Sequence, residues 1–533
     1  MQHLSTVDLA IVVIYIAGIL FLGLKVGRHQ SKNAEKYFLA SHSLRWPVIG
    51  AALFASNIST IHLVGLAASG FNDGLVWGNF EWMAVFILIV LGMVFAPFYY
   101  KNKISTLPEF LEKRYNGLAR TFLAFFGLLG ALFMHIGVSL YAGAIVFEHF
   151  FGINIYISIL FISFITALYT VIGGLQSVVI TETFQTIILI GGAIILTIYG
   201  FISLADHGIT SWEALEAATK PEQLQILPTS ANPSGLTIPA ILLGYPVLGI
   251  WYWCADQTIV QRVLGARSLK DAQMGPLFAG FIKILPVFIF VLPGVIGYVL
   301  FSDIISDPND TFPVLITELL PTGLKGLMAA ALLAALMSTI AAALNSAGTL
   351  VSIDIIKRNR PDITDRHQVL IGRITAVVVM VIAISWSPLI ARFDSIFEAI
   401  NTLLAVISPP ITAVFILGVL WPRGNHQGAI ATFIGGFILG LIAFMIDFPV
   451  WGDTKVITET WGISFMMQAW WLFVLSAIIY IIASLLNPAP TKEKTASCTL
   501  EFKFPKGAVK DNLPALFAGI LFLIMLILYI LFS

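Results

Sequence analysis

Long apolar stretches recur along most of the chain, and short polar segments separate them. An α-helix needs about 20 consecutive apolar residues to cross the hydrocarbon core of a bilayer, and about 14 stretches meet or approach that length. The pattern therefore predicts an all-α integral membrane protein with about 14 transmembrane helices. The apolar stretches cover residues 8–27, 46–71, 76–99, 119–149, 154–172, 178–203, 237–264, 272–301, 324–356, 370–391, 397–421, 427–447, 466–486 and 513–532.

Composition supports this class and excludes others. Of the 533 residues, 58% are hydrophobic and 11% are charged, which is typical of membrane proteins rather than soluble globules. The formal net charge is zero, so nothing indicates a surface for nucleic acid. Cys254 lies in an apolar stretch and Cys498 in a polar linker, so they indicate neither a disulfide framework nor a zinc site.

The charges between the spans predict the orientation of the chain. If the N-terminus lies outside and the spans alternate, most of the 29 lysines and arginines fall in segments on the inside. Such an excess of positive charge marks the cytoplasmic side of a membrane. We therefore expect a multi-pass cell membrane protein whose N-terminus and C-terminus both lie outside. The first stretch is too long for a signal peptide, and the lack of targeting features favours a bacterial inner membrane.

Polar residues interrupt the second apolar stretch near its middle. Polar side chains at membrane depth are costly unless they face a cavity or another helix. A helix that breaks there frees backbone carbonyls that can hold a cation. For this stretch alone, a helix–helix contact lined by Ser, Thr and Asn is an equally good interpretation. The polar residues are Ser56, Asn57, Ser59, Thr60 and His62.

A second interruption lies five spans later. The seventh stretch contains Gly244, Pro246 and Gly249, which we expect to break the helix. Because five is an odd number, two five-span halves that each begin with an interrupted span have opposite orientations. This is the pattern of an inverted-repeat secondary transporter with its site near the middle of the membrane.

These spans predict the organisation of the whole chain. The two long outer loops, near 204–236 and 302–323, are expected to be solvated connections rather than lids, and the last span is expected to be peripheral. The predicted parts are a first span with its inner loop (1–45), a first five-span repeat (46–203), an outer loop (204–236), a second five-span repeat (237–421), two additional spans (422–486), an inner linker (487–512) and a last span (513–533).

Two ionisable residues inside the spans are candidates for function. Glu81 lies in the third stretch and Lys283 in the eighth. Either charge alone at the centre of a bilayer costs about 3 kcal/mol or more, so each is expected to face water, a partner or a polar ligand. A structural ion pair, or a Lys283 side chain that extends to the inner surface, is the alternative. Tyr252 and Trp253 lie beside the second interruption, where aromatic faces can stack on the apolar face of a sugar.

Several short motifs are weak individually but specific together. They are Ala55-Ser-Asn-Ile-Ser59, Gly78-Asn-Phe-Glu-Trp82, Thr106-Leu-Pro-Glu-Phe110, Gly173-Gly-Leu-Gln-Ser177, Trp251-Tyr-Trp-Cys-Ala-Asp-Gln257 with Gln261-Arg262, Val291-Leu-Pro-Gly294 and Asn345-Ser-Ala-Gly-Thr349. The chain thereby resembles the sodium:solute symporter family, and most of all its sodium/glucose cotransporter branch. The resemblance implies a LeuT-like fold of five-plus-five inverted repeats with two broken helices.

The resemblance also implies which residues form the sites. By position, the sugar ligands fall on Asn57, His62, Glu81, Tyr252, Trp253, Lys283 and Asn401. The outer gate falls on Leu66, Phe80 and Phe397, and the inner gate falls on Tyr252. The sodium ligands fall on the carbonyls of Ala55, Ile58 and Ala335 and on the hydroxyls of Ser338 and Thr339. Glu182 falls where relatives with a second sodium site have an acid, and here it is assigned at most to an ion pathway, with one sodium expected per sugar.

The identity of the solute stays open. Asn401 stands where the glucose carriers have Gln, and Gly249 and His135 stand where a galactose carrier has Asn. We therefore expect sodium-coupled uptake of a hexose such as glucose or galactose, with no enzymatic activity and with the oligomeric state open. The alternative is a sodium symporter for inositol or another polyol, sialic acid, an amino acid or a carboxylate. A membrane enzyme or sensor is disfavoured, because no catalytic constellation and no large soluble domain is evident.

Overall fold

The structure, a computed structural model, describes residues 4–28, 33–228, 236–392, 396–447, 455–500 and 512–533. The side chains of residues 61, 149, 151, 391–392 and 396–403 are outside the described set. The predicted ligand Asn401 and the predicted gate residue Phe397 therefore lie outside the described side chains.

The regular secondary structure of the described residues is helical, apart from one isolated bridge between Leu44 and Ala266. The principal helices are α1 (Thr6–Gly27), α2 (Ala34–Leu39), α3 (Trp46–Asn57), α4 (Thr60–Asn72), α5 (Leu75–Lys101), α6 (Leu107–Arg114), α7 (Gly117–Glu148), α8 (Ile155–Asp206), α9 (Trp212–Ala218), α10 (Ala240–Ala255), α11 (Gln257–Leu264), α12 (Leu269–Phe301), α13 (Thr311–Leu319), α14 (Leu324–Lys357), α15 (Asp365–Ile390), α16 (Ile396–Leu420), α17 (His426–Asp447), α18 (Phe465–Leu485), α19 (Lys492–Ala496) and α20 (Leu513–Leu531).

By length and composition, ten described helices are able to cross a membrane, or eleven if α3 and α4 form one bent span. This establishes a multi-pass helical protein, whereas the number 14 stays a prediction. The count treats α8 as one helix of 52 residues, which would be about 78 Å long at 1.5 Å per residue. Gly174 divides this helix, because its φ of 63° and ψ of −165° are not helical. The helix α8 is thus compatible with two spans that meet at Gly174, near the predicted stretches 154–172 and 178–203.

The helix α14 lies at the centre of the molecule. Every residue from Met328 to Thr349 is buried, and this segment is dominated by Ala, Leu, Ser and Thr. A helix that is apolar on all sides belongs in a core, and small side chains let neighbouring helices approach closely. For example, a Cβ on Gly348 would lie 2.8 Å from the carbonyl oxygen of Gly372 on α15. The central helix therefore presents Ser338 and Thr339 to its neighbours at fixed positions.

The first interruption separates α3 from α4, whose axes differ by 63°. Ile58, whose carbonyl is a predicted sodium ligand, has extended φ and ψ of −76° and 109°. Ser59 then caps α4 through a reciprocal capping box with His62, in which the Ser59 N–H donates to His62 Nδ1 at 3.3 Å. The local sequence therefore ends one helix and starts another within two residues.

The second interruption lies at Asp256, between α10 and α11, where φ and ψ are −84° and 121°. The expected break at Gly244 and Pro246 is wrong, because α10 is helical through both residues. A π-helical turn from Ala240 to Gly244 precedes the proline, and such a turn accommodates the missing N–H of proline without ending the helix. Asp256 caps α11 by accepting a hydrogen bond from the Thr258 N–H at 2.9 Å.

The segment after α8, predicted to be an outer loop, packs onto the core. Gln223 is 2% exposed, and its Nε2 donates to the carbonyls of Phe71 and Gly70 at 3.0 and 3.2 Å. Ile226 is fully buried and its carbonyl accepts from Asn79 Nδ2 at 2.6 Å. The interpretation of this loop as a solvated connection is therefore wrong for this segment, which anchors the ends of α4 and α5.

Candidate functional site

A cavity of about 160 Å³ lies beside the two interruptions. One water needs about 10–15 Å³, so the cavity has room for roughly ten waters or one solute of monosaccharide size. Its wall mixes charged, amide and hydroxyl groups with aromatic rings, as small-molecule sites do. The lining residues are Asn57, Ser59, His62, Leu66, Phe80, Glu81, Met134, His135, Ser139, Tyr245, Leu248, Gly249, Tyr252, Trp253, Lys283, Thr339 and Leu404.

Glu81 on α5 and Lys283 on α12 form an ion pair in the wall of the cavity. The two side chains are only 2% and 1% exposed. A single buried charge is very costly, whereas an opposite charge in contact offsets part of the cost of removing both from water. The Lys283 ammonium also lies 5.6 Å from the centre of the Trp253 ring, within range of a cation–π interaction. The pair thus presents charged hydrogen-bonding groups to the cavity without adding a net charge.

Asn57 connects the two interrupted spans across the cavity. Its Nδ2 donates to the hydroxyl of Tyr252 at 3.1 Å. Its Oδ1 is buried, and within the described part of the chain no donor reaches this atom. Buried polar atoms in native proteins are nearly always paired, so an unpaired acceptor at a cavity wall is suited to a hydroxyl donor from a solute.

His135 and Asp256 form a second buried pair at the cavity. His135 Nε2 lies 2.7 Å from Asp256 Oδ2, and its ring centre lies 5.8 Å from that of Tyr252. The sequence named His135 only as a departure from a galactose carrier and gave Asp256, within the motif Trp251–Gln257, no role of its own. The structure instead places Asp256 at the second interruption, where it contacts a residue of the cavity wall.

The oxygens expected to bind sodium lie where α14 crosses the first interruption. Ser338 Oγ lies 2.7 Å from the carbonyl oxygen of Ala55 and 2.9 Å from that of Ala335. Thr339 Oγ1 lies 3.2 Å from the Ala335 carbonyl and 3.3 Å from the Ser56 carbonyl. Uncharged carbonyl and hydroxyl oxygens are the ligands that hard cations prefer. These oxygens therefore fit an alkali cation that is carried as a substrate.

Glu182, the residue expected on an ion pathway, is completely buried on α8. It forms a two-point ion pair with Arg262 of α11, in which Arg262 Nε lies 3.1 Å from Glu182 Oε2. Arg262 is itself 1% exposed. The carboxylate is therefore already neutralised in this structure, and any role on an ion pathway would require the pair to separate.

The predicted gate residues with described side chains also line the cavity, and their role as gates stays a prediction. Leu66 is 4% exposed, and both Leu66 and Phe80 line the wall. The hydroxyl of Tyr245 donates to the Phe80 carbonyl at 2.8 Å, which links α10 to α5 at this point. Tyr252 also lines the cavity, where its hydroxyl accepts from Asn57 Nδ2.

Sequence reasoning missed several residues of the wall. Ser59 was named among the polar residues of the first interruption but was given no ligand role, and Tyr245 had a detectable signal because it lies between Gly244 and Pro246. Ser139 lies four residues after His135 on α7, and this spacing places both on the same face of the helix. For Leu404 the sequence carries no signal, because one leucine among many in an apolar helix looks like ordinary packing.

Bundled apolar helices, a polar cavity at two interruptions and an adjacent set of carbonyl and hydroxyl oxygens are typical of a secondary transporter. The family model described as the sodium:solute symporter family matches residues 37–436. The chain therefore belongs to the sodium:solute symporter family, whose members couple solute uptake to sodium and are transporters rather than enzymes.

Curated relatives place the chain in the sodium/glucose cotransporter branch. It is 34% identical to the human sodium/myo-inositol cotransporter, over 96% of this chain and 77% of that protein. It is 35% identical to the rat sodium/glucose cotransporter 2, over 83% of this chain and 72% of that protein. Among solved structures, a sodium-coupled sialic acid symporter in a substrate-bound outward-open state shares the fold, with a TM-score of 0.74 and 20% identity over 91% of this chain and 99% of that chain.

Proposed function

We propose that the protein takes up a neutral sugar or polyol together with sodium, by alternating access. The main support for this proposal is that a single segment, Ala55–His62, borders both the solute cavity and the predicted sodium site. The carbonyls of Ala55 and Ser56 contact the hydroxyls of α14, while Asn57 and His62 line the cavity. A backbone adjustment that favours sodium therefore also changes the solute site, which is a physical basis for coupling.

The charges of the cavity favour a neutral solute. Glu81 neutralises Lys283, so the pair leaves no surplus cation for a carboxylate. The remaining groups suit hydroxyls, because Asn57 Oδ1 can accept from one and the rings of Tyr252 and Trp253 can stack on an apolar sugar face. We infer a hexose such as glucose or galactose. Myo-inositol, named for the human relative, is the second candidate, since it offers a similar set of hydroxyls.

The assignment of roles extends to residues and topology. The solute ligands are Asn57, His62, Glu81, Tyr252, Trp253, Lys283 and Asn401, and the sodium ligands are Ala55, Ile58, Ala335, Ser338 and Thr339. The two repeats are 46–203 and 237–421, within about 14 spans, and both termini lie outside. The curated relatives named above are mammalian, and a bacterial inner membrane stays a prediction.

Uptake into proteoliposomes tests the function directly. Labelled glucose, galactose, mannose and myo-inositol would each be offered with an inward sodium gradient, with equal sodium on both sides, and with potassium in place of sodium. We expect one of these solutes to accumulate only with the gradient. If none accumulates while labelled sialic acid or an amino acid does, the neutral-solute assignment is wrong although the transporter class stands.

A further inference from the structure

Among the described residues, three aromatic rings contact Phe80 at the edge of the cavity. The Phe80 ring stacks on Trp77, with centres 5.7 Å apart and planes at 15°, and on Phe465, with centres 6.1 Å apart and planes at 18°. Tyr245 meets the same ring edge-on, at 5.8 Å and 80°. Stacked and edge-to-face pairs both stabilise aromatic contacts. Phe465 is notable among them because it lies on α18, outside the two predicted repeats.

The stacked pair of Phe80 and Phe465 separates two cavities. Phe80 lines the solute cavity, whereas Phe465 lines a second cavity of about 40 Å³. The helix α16 borders both, since Leu404 lines the first cavity and Ala405 lines the second. The second cavity also has polar residues of α17 and α18 in its wall, namely Asp447 and Gln468. A polar space therefore lies directly behind the ring that closes the solute cavity.

The start of α18 is held firmly against α10. A Cβ on Gly244 would lie 2.3 Å from the backbone oxygen of Met466, so only glycine allows this approach. Met466 follows Phe465 and is 1% exposed. Since Tyr245 is adjacent to Gly244 and donates to the Phe80 carbonyl, the α10–α18 contact fixes Phe465 relative to Phe80.

We propose that Phe465 is a positioning residue for the gate. Its ring stacks on Phe80 and holds the Phe80 ring in the position that closes the solute cavity. This inference rests on the proposed gate role of Phe80. Phe465 does not line the solute cavity, so it acts through Phe80 rather than through the solute. Without the ring, Phe80 loses one of its stacking partners and the cavity opens towards the second cavity more often. Loss of one aromatic pair is expected to raise the ratio of open to closed cavities about two- to tenfold.

Accessibility of the cavity tests this proposal without requiring transport. Ser139 lines the cavity, and Ser139→Cys supplies a small reporter there. Intact cells would be treated from outside with a membrane-impermeant thiol reagent, with and without sodium, and the rate of labelling measured. We expect Phe465→Ala to accelerate labelling about two- to tenfold, Phe465→Leu to do so as well, and Phe465→Tyr to keep the parent rate. The parent chain without Ser139→Cys reports any reaction of the buried Cys254 and Cys498.

Phe473 provides a matched control on the same helix. It is half-buried like Phe465, but it stacks on Trp470 at 5.6 Å rather than on Phe80. Phe473→Ala should leave the labelling rate unchanged. The proposal is overturned if Phe465→Ala and Phe465→Leu label at the parent rate with normal surface abundance, or if Phe473→Ala accelerates labelling equally. If the wild-type protein fails to take up any sugar but the labelling pattern holds, only the assignment of the solute fails.

Discussion

At the scale of single residues, Glu81 and Lys283 determine the electrostatics of the cavity. Each side chain is almost completely buried, so neither charge is solvated by bulk water. Their contact compensates part of that cost, and removal of one partner leaves the other buried and unpaired. A solute hydroxyl that inserts between them would receive charge-assisted hydrogen bonds, which are about twice as strong as neutral ones. The pair is therefore a structural contact in the cavity wall, and we propose that it is also a polar ligand for the solute.

Glu81→Gln is expected to abolish coupled uptake. Glutamine preserves the size of the side chain but replaces bonds to a charged group, worth about 1.5–3 kcal/mol, with weaker neutral ones. The ratio of maximal uptake rate to KM should fall at least about tenfold. Glu213→Gln, at an exposed position on α9, is the matched control. Uptake at the wild-type level by Glu81→Gln would show that Glu81 is not a ligand.

A double variant separates the two roles of the pair. Glu81→Gln combined with Lys283→Met removes both charges, so neither is left buried without a partner. We expect this variant to regain membrane abundance and thermal stability relative to Glu81→Gln alone, yet to remain inactive. Recovery of uptake in the double variant would mean that the ion pair serves only packing.

At the scale of helices, the two predicted interruptions fared differently. The polar residues around Asn57 coincide with the end of α3 and the start of α4, whereas two broken membrane spans stay a prediction. Gly244 and Pro246 predicted the second break at the wrong place, because the helix continues through the proline after a π-helical turn. The helix instead ends at Asp256, where neither glycine nor proline is present. The contribution of Phe465 could not be predicted, because contacts between α18 and α5 depend on packing that one sequence does not encode locally.

Tyr252 is predicted to link the two interrupted spans during transport. Its hydroxyl accepts from Asn57 Nδ2, so one hydrogen bond joins α3 to α10. Tyr252→Ala should still bind solute and sodium in an equilibrium binding assay but should fail to transport normally, because the ring of the inner gate is lost. Tyr252→Phe keeps the ring and loses only the hydrogen bond, so its transport should be closer to wild type. Normal coupled transport by Tyr252→Ala would reduce the ring to packing.

The contact between α4 and α12 depends on two glycines. A Cβ on Gly294 would lie 2.0 Å from the carbonyl oxygen of Ala67, and one on Gly70 would lie 2.2 Å from that of Val291. Gly294→Ala must therefore push the two helices apart, which should cost about 1–3 kcal/mol and lower the thermal unfolding midpoint in detergent. Gly191→Ala on α8 meets nothing within 4 Å and should leave the midpoint unchanged or slightly raised. Equal midpoints for the two variants would contradict this packing.

At the scale of the whole molecule, the number of sodium ions sets how far the solute can be concentrated. One sodium that moves down a potential of 100 mV supplies about 2.3 kcal/mol, and a tenfold sodium gradient adds about 1.4 kcal/mol. Together they support accumulation of roughly 500-fold for one sodium per solute, and the square of that ratio for two. If sodium binds at the oxygens beside α14, the number of ions held there determines this limit on accumulation.

We predict one sodium per solute molecule. The turn after Ser338 and Thr339 consists of the buried residues Ile340–Ala343, none of which carries a side-chain oxygen. The nearby acid position, Glu182, is held in an ion pair by Arg262 and would have to lose this partner to bind a cation. Few side-chain oxygens are therefore available for a second sodium at the positions where relatives with two sodium sites are expected to have ligands. Reversal potentials of solute-coupled current, measured at several sodium gradients, should follow the slope for one ion, and a slope for two ions would require ligands elsewhere in the chain.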